Sequence, residues 1–174
     1  MSRLTNILLC SAALFVGLAC EADPNSIEPE GHYSATSLYA RIGGERVLRS
    51  LVDYYFDSAV GDTSRLNFTR AGTPHAWEPN PGNVAALKDR YYSYLCSATG
   101  GPCKYHGPAI STVHQSLDIT PDQFARSIEL FSAAAQRAGV GPREQQELLT
   151  ILYHEKPAVL GKNAVPATQP ARHP

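Results

Sequence analysis

Apolar residues recur along the chain at steps of three and four, the spacing that puts them on one face of an α-helix. The first such stretch opens at Gly44 and ends near Gly61. The second follows a candidate N-cap at Asn83 and stops at Gly100-Gly101. The apolar stripes of these two predicted helices are Val47, Leu48, Leu51, Val52, Tyr55, Phe56 and Ala59, and Val84, Leu87, Tyr91, Tyr94 and Leu95.

Two further helices have clearer starts. Thr120 is followed by Pro121 and then by Gln123, three residues after the cap, which predicts a capping box. This helix stops at Gly139, and the last one begins at Pro142. No stretch shows the period-two alternation of a strand, so the pattern predicts an all-α domain. The two stripes are Phe124, Ile128, Phe131 and Ala135, and Leu148, Leu149, Ile151 and Leu152.

Residues 61–82 and 100–120 lack any apolar period. The first segment holds three prolines together with Phe68 and Trp77, two aromatic side chains that favour burial. The second holds two histidines. Long irregular segments inside a compact domain usually carry a function or wrap a bound group. We therefore expect a ligand to lie between the helices.

The two ends of the chain differ from its middle. Residues 1–20 have a basic start and an apolar run too short to span a membrane, which is typical of a secretory signal peptide. Their ending, GLAC, resembles the lipobox of bacterial lipoproteins, in which Cys20 is acylated; secretion without the lipid is the alternative. Residues 21–36 form a predicted flexible tether and residues 157–174 a predicted disordered tail, leaving a folded domain at 37–156.

Composition supports one globular domain and narrows its partners. The chain has 174 residues, of which 43% are hydrophobic and 18% charged. A formal net charge of −1 supplies no electrostatic footprint for nucleic acid, so that class of partner is excluded. We expect an exported protein, either in the bacterial periplasm or anchored to a membrane through a lipidated Cys20.

The motifs LYARIGGERVL, FDSAVGD, LKDRYYSYLCSATGGPCKYHGPAISTVHQSLDIT and DQFARSIELFSAAAQRAGV together resemble the group I truncated haemoglobins. The resemblance runs from about residue 37 to about residue 152. It implies a two-over-two sandwich of α-helices around haem b. It also implies reversible binding of oxygen and of other diatomic gases, nitric oxide and carbon monoxide among them. Nitric oxide dioxygenation or a peroxidase-like activity is the alternative function, and a reductase partner would be needed to restore the iron.

The resemblance assigns a role to one of the two histidines. His114 stands where the family has the proximal ligand of the haem iron, and this side chain is therefore the predicted metal ligand. Its second ring nitrogen is expected to donate to a backbone carbonyl, which would fix the tautomer. A partly buried structural histidine is the alternative. His106 stands where the family has a polar residue and is predicted to face solvent.

On the opposite side of the haem, the chain departs from the family. The position that usually carries a tyrosine near the end of the first long helix is Phe56, which has no hydrogen-bond donor. Leu87 and Tyr91 occupy the two positions of the second helix that face the gas ligand in the family. We predict that the Tyr91 hydroxyl replaces the missing donor. The alternative is that Tyr91 is a core aromatic residue of the apolar stripe.

The remaining site residues are predicted as walls or as anchors. An apolar wall would limit the access of water to the iron. Charge or a hydroxyl group makes Lys88, Arg90 and Tyr105 candidates for the haem carboxylates. The predicted wall residues are Leu51, Val52, Tyr55, Phe68, Leu87, Ile110, Val113, Ile119 and Phe124.

Two cysteines lie in the folded part, and their state is open at this point. Cys96 and Cys103 could form a disulfide that ties the second helix to the following loop, or they could be small apolar fillers. With His106 and His114 they also make a weak candidate zinc site, because the spacing matches none of the usual pairs. A helical interaction module without a cofactor is the other alternative.

Overall fold

The computed structural model describes residues 33–163. The predicted signal peptide, Cys20, most of the predicted tether and the last part of the predicted tail lie outside the described residues. Every regular element from residue 33 to residue 163 is helical, which confirms the all-α prediction. The α-helices are α1 (Leu38–Arg41), α2 (Gly44–Gly61), α3 (Pro81–Ala98), α4 (Ile110–His114), α5 (Pro121–Arg137), α6 (Pro142–His154) and α7 (Lys156–Leu160), and a 3-10 helix follows at Gly161–Asn163.

Helix α2 has the predicted bounds and the predicted buried face. Gly43 precedes this helix and has a φ of 103°, a left-handed backbone conformation that residues with a side chain rarely adopt. A Cβ at this position would also meet the Val47 side chain at 2.7 Å, so glycine is needed on two counts. All seven residues of the predicted stripe are buried.

Helix α3 begins three residues earlier than predicted. Its N-cap is Asn80, whose side chain accepts hydrogen bonds from the backbone N–H groups of Gly82 and Asn83. The Asn83 side chain in turn accepts from the Asn80 N–H, so Asn83 is the third helical residue of a capping box and not the cap itself. Pro81 fills the first helical position, where a missing N–H costs nothing.

Helix α5 begins as predicted. The Thr120 side chain accepts from the Gln123 N–H at 3.2 Å, and the Gln123 side chain accepts from the Thr120 N–H at 3.1 Å. These reciprocal bonds fix the first turn of α5, which follows the short helix α4 (Ile110–His114) along the chain.

The long helices form two layers. Helix α2 packs against α3 in one layer and against α5 across the core, and α5 packs against α6. This arrangement is the predicted two-over-two sandwich. Leu48, Leu51, Leu95, Phe131 and Leu148 lie at its centre and are at most 1% exposed. Between residues 33 and 163, no helix combines the length and the apolarity needed to cross a membrane.

The folded domain extends beyond residue 156, so the prediction of a disordered tail from residue 157 is wrong for its first seven residues. Helix α7 packs against α4 and α5. Leu160 is 4% exposed and lies in a cluster with Phe124 and Ile128. The Asn163 side chain donates to the Ile119 carbonyl at 3.1 Å. The sequence did not predict α7, because a helix of little more than one turn is too short to show an apolar period and the segment also contains proline.

A disulfide joins Cys96 to Cys103, with a Cα–Cα distance of 5.6 Å. It ties the buried end of α3 to the loop that leads to α4. The chain turns back sharply between the two cysteines, and a Cβ on Gly101 would lie 2.8 Å from the Cys96 carbonyl oxygen and 2.7 Å from the Tyr39 ring. The disulfide reading of the cysteine pair therefore holds in the structure.

Candidate functional site

A cavity of about 410 Å³ lies between the helices, at the place where the two irregular segments meet them. Its walls come from α2, residues 66–77, α3, the loop before α4, α4 itself, the start of α5 and Val159 of α7. The structure brings most of the predicted site residues to this cavity. Those that line it are Tyr55, Phe56, Phe68, Leu87, Arg90, Tyr91, Tyr105, Ile110, Val113, His114, Ile119 and Phe124.

His114 is the last residue of α4 and lies half-buried against the cavity. Its Nδ1 is 2.8 Å from the Ile110 carbonyl oxygen, one helical turn earlier. A carbonyl oxygen only accepts, so Nδ1 carries a proton in this contact, and in the neutral imidazole Nε2 is then the nitrogen with the free lone pair. A neutral imidazole in this tautomer could hold a metal ion through Nε2. His106 is exposed, as predicted.

The end of α2 brings aromatic rings to the other part of the cavity wall. Phe56 is 3% exposed, and its ring packs edge-on against Phe68 at 5.7 Å. The Tyr55 hydroxyl lies 3.2 Å from the Ser127 hydroxyl, so these two groups are paired with each other. Phe56 has no polar hydrogen to offer, and Tyr55 already has a partner.

Tyr91 stands opposite these rings on α3. Its ring stacks on Tyr55 at 5.6 Å and meets Phe56 edge-on at 5.4 Å. Among residues 33–163 its hydroxyl has no hydrogen-bond partner. Burial raises the pKa of Tyr91 well above its ordinary value, and Tyr55 and Tyr94 add to the shift, so the hydroxyl keeps its proton at neutral pH. Tyr91 is therefore an available hydrogen-bond donor at the cavity wall.

Three of the predicted site residues, Lys88, Leu51 and Val52, do not line the cavity. Lys88 does not line the cavity, because it is about 100° around α3 from Leu87. Its ammonium instead lies 2.8 Å from Asp57 and 3.1 Å from Asp53. Leu51 and Val52 are core residues, 0% and 2% exposed, and are absent from the cavity wall.

Tyr105 lines the cavity, but its hydroxyl donates to the Pro108 carbonyl at 2.9 Å. This bond leaves the hydroxyl poorly suited to bind a carboxylate, and the wall contribution of Tyr105 comes from its ring. Its ring packs edge-on against Tyr94 at 5.6 Å.

Segment 61–82 contributes residues that sequence reasoning missed. Trp77 packs on Phe68 at 6.0 Å, and both rings line the cavity. Arg70 and His75 add positive or polar side chains to the same wall. The only signal in the sequence was the pair of aromatic residues in a proline-rich stretch, and it did not point to Arg70 or His75.

Arg70 has two unusual features. Its backbone φ is 56°, a left-handed conformation that costs a side-chain-bearing residue about 1–2 kcal/mol. Its Nη1 donates to the Gln123 side chain at 3.2 Å, but its Nε is buried and has no hydrogen-bond partner among residues 33–163. Buried guanidinium nitrogens are normally satisfied, so this N–H suits a carboxylate bound in the cavity.

These features fit a haem. The cavity has a volume within the roughly 300–1,000 Å³ of cofactor sites, and its walls are mainly apolar and aromatic. His114 offers one free imidazole nitrogen, and Arg70 and Arg90 offer cationic groups for carboxylates. The zinc alternative does not fit, because the disulfide removes both thiolates. No cluster of three or more His, Cys, Asp or Glu residues lies within the described range.

Comparison with known proteins agrees with this reading. Residues 37–160 match the bacterial-like globin family. The group 1 truncated haemoglobin GlbN of Mycolicibacterium paratuberculosis is 29% identical over 113 residues, which is 65% of this chain and 76% of that protein. The group 1 truncated haemoglobin LI410 of Chlamydomonas moewusii is 22% identical over 127 residues, covering 71% of this chain and 68% of that protein.

Solved structures share the fold. Truncated haemoglobin from Tetrahymena pyriformis, in its Fe(III) form, has a TM-score of 0.61 at 19% identity and covers 72% of this chain and 98% of its own. The 2/2 haemoglobin of Synechococcus, solved in the cyanomet state with covalently attached haem, has a TM-score of 0.59 at 20% identity, with 71% and 98% covered. With the family match over most of the chain, the two-over-two fold and the cavity, we conclude that the protein belongs to the bacterial-like globin family and is a haem-binding group 1 truncated haemoglobin.

Proposed function

We propose that this protein holds haem b through His114 and binds oxygen reversibly on the opposite side of the haem. The single observation that carries the proposal is the hydrogen bond from His114 Nδ1 to the Ile110 carbonyl, 2.8 Å long. In the neutral imidazole it holds the proton on Nδ1, the tautomer that leaves Nε2 available to a metal ion. When bound, haem iron supplies one open coordination position that accepts a diatomic gas.

The chain supplies the surroundings of that position. Phe56, Phe68 and Leu87 line the cavity with apolar groups, which limits the access of water and so slows oxidation of the iron. The Tyr91 hydroxyl is proposed as the donor to the gas ligand, because it is protonated, beside the cavity and without a protein partner in the described residues. Its aromatic contacts with Tyr55 and Phe56 restrict where that hydroxyl can lie.

Arg70 and Arg90 are proposed to bind the two haem carboxylates. Both line the cavity, and the buried Arg70 Nε has no hydrogen-bond partner among residues 33–163. Arg90 is one residue before Tyr91 on α3 and is exposed, so its guanidinium can serve a carboxylate at the cavity mouth. Lys88, which is engaged by two aspartates on α2, is not part of this proposal.

We further propose that the protein is exported and anchored to a membrane through a lipidated Cys20. The disulfide between Cys96 and Cys103 supports export, since structural disulfides persist mainly in oxidising compartments. Incorporation of labelled palmitate into the wild-type chain, and its loss in Cys20→Ala, is the test of the anchor. Export without incorporation would leave a secreted protein and remove the membrane from the proposal.

The test of the main function is a titration. The purified chain is loaded with haemin, reduced, and titrated with oxygen while its visible absorption spectrum is recorded. We expect one haem per chain and an oxygen spectrum that reverts when the gas is removed. Stoichiometric haem uptake followed by immediate oxidation in air would contradict reversible oxygen binding while leaving the haem site intact.

A further inference from the structure

A second cavity of about 590 Å³ lies between α3 and α6, outside the haem cavity. We call it the outer cavity. Tyr94, Ser97 and Ala98 of α3 form one wall, and Thr150 and Ile151 of α6 form the other. Tyr105, His154 and Glu155 complete its lining, and it is open to the surface.

The two cavities share part of a wall. Tyr94 and Tyr105 line both of them. The rings of Tyr94 and Tyr105 meet edge-on at 5.6 Å, and the ring of Tyr94 lies 6.3 Å from that of Tyr91. Tyr91 lines only the haem cavity, so neighbouring aromatic rings connect the outer cavity to the haem cavity.

The lining of the outer cavity defines the kind of molecule that it suits. Tyr94 and Tyr105 present aromatic surface, which favours a flat ring. The Ser97 and Thr150 hydroxyls and the Glu155 carboxylate provide hydrogen-bond partners for hydroxyl groups. A carboxylate in the wall disfavours an anionic occupant and favours a neutral phenol that donates to it.

Glu155 also lies beside Tyr94. Burial raises the pKa of Tyr94, and the nearby Glu155 adds to this shift. The Tyr94 phenol therefore stays protonated and neutral at neutral pH. Glu155 lines the outer cavity together with Tyr94, which places its side chain beside a phenol bound there.

We propose that the outer cavity binds a small hydroquinone and that the rings of Tyr94 and Tyr91 form the path by which its electron reaches haem iron. The inference rests on the proposed haem function. In the haem-loaded protein, the hydroquinone would give up one electron to the haem and one phenolic proton to the Glu155 carboxylate. The oxidised molecule leaves as a neutral phenoxyl radical, and two such radicals disproportionate to one quinone and one hydroquinone. The tyrosines stay in their reduced form throughout.

The experiment blocks the outer cavity without touching the haem cavity. Ala98→Trp fills it from α3, and Thr150→Trp fills it from α6; neither residue lines the haem cavity. Ala86→Trp is the matched control, since Ala86 is exposed on α3 and lines neither cavity. Ferric holoprotein is mixed with excess hydroquinone under anaerobic conditions, and the rate of iron reduction is followed by absorption. Binding is measured separately by saturation-transfer NMR with phenol on the diamagnetic ferrous carbon monoxide form.

We expect the reduction rate of wild type and Ala86→Trp to saturate with hydroquinone concentration. Either blocking variant should lower the rate at least tenfold and remove the phenol signal, while haem uptake stays unchanged. Equal rates in the blocked and control variants, or no phenol signal in wild type, would overturn the inference. Haem uptake by wild type distinguishes a failure of this inference from a failure of the proposed function. If wild type took up no haem, the proposed haem function itself would be contradicted, and not only the hydroquinone site in the outer cavity.

Discussion

The Nδ1 atom of His114 lies 2.8 Å from the carbonyl oxygen of Ile110, and this contact sets the chemistry of the cavity. Both residues belong to α4, so a helix of five residues contains both the ring and the group that orients it. The start of α5 is fixed by the capping box of Thr120 and Gln123. Helix α7 packs against α4 from the C-terminal end of the domain.

Replacing Tyr91 with phenylalanine tests the donor. Loss of one hydrogen bond to a bound gas should cost about 1 kcal/mol, so we expect oxygen to dissociate roughly five- to tenfold faster from Tyr91→Phe. Stopped-flow measurement of the dissociation rate decides the matter. Tyr55→Phe is the control, since its hydroxyl pairs with Ser127 and should affect the rate little. An unchanged rate in Tyr91→Phe would show that Tyr91 is only a packing residue.

The disulfide should stabilise the domain measurably. Cys96 and Cys103 are seven positions apart in the sequence, and closing so short a loop in the unfolded chain is worth about 2–3 kcal/mol. We therefore expect reduction, or the Cys103→Ala substitution, to lower the free energy of unfolding by that amount in urea. The control is reductant added to Cys103→Ala, which should have no further effect. A wild type insensitive to reductant under unfolding conditions would contradict the disulfide.

The Asp62 carboxylate should make the free energy of unfolding fall at acid pH. Its carboxylate accepts from the Leu66 N–H at 3.0 Å, from Arg126 Nε at 2.7 Å and from the Arg65 N–H at 2.9 Å. The Leu66 bond and the Arg126 ion pair lower the pKa of Asp62 from 3.8 to about 2. Because the folded-state pKa is the lower one, this stabilisation is complete above about pH 4 and is lost as the pH falls toward 2.

The Asp62→Asn variant should therefore be less stable than wild type at neutral pH, and the difference should shrink between pH 4 and pH 2. Denaturation measured at a series of pH values is the test. Asp89→Asn, at an exposed carboxylate paired with Arg49, serves as the control. A difference that stays constant across this range would contradict the role given to the Asp62 charge.

Replacing Leu160 tests whether the packed domain includes α7. Its side chain is 4% exposed against Phe124 and Ile128. We expect Leu160→Ala to destabilise the protein by about 2–4 kcal/mol, as for other buried leucines. Lys162→Ala, at a side chain that is 74% exposed, should change stability by less than about 1 kcal/mol. Equal stability of the two variants would place the end of the packed domain before α7.

The sequence predicted the long helices because each buries one continuous face, and a face of four or more turns leaves a readable period. For this reason the predicted bounds of α2 and the predicted start of α5 agree with the structure. Gly43 and Thr120, which cap the N-termini of these two helices, also mark where they begin. The start of α3 was misplaced because Asn80 and Asn83 are both good caps, and only the three-dimensional pairing shows which one begins the helix.

The cavity walls were predicted only where they belong to helices or to the family pattern. Leu87 and Tyr91 were assigned to the site by the family resemblance. Leu51 and Val52 of α2 were included by mistake, since apolar wall and apolar core have the same signature. Arg70 could not be found, because its position depends on a left-handed turn and on a contact with Gln123 more than fifty residues away.

The most direct test of the account is the haem spectrum of His114→Ala beside that of His106→Ala. His114 borders the cavity with Nε2 free, whereas His106 is exposed in the preceding loop. We expect His106→Ala to bind haemin with the axial-ligand spectrum of wild type, and His114→Ala to lose that spectrum and most of its pigment. Addition of imidazole should restore a histidine-like spectrum to His114→Ala only. Identical spectra and pigment in both variants would contradict the assignment of His114 as the iron ligand.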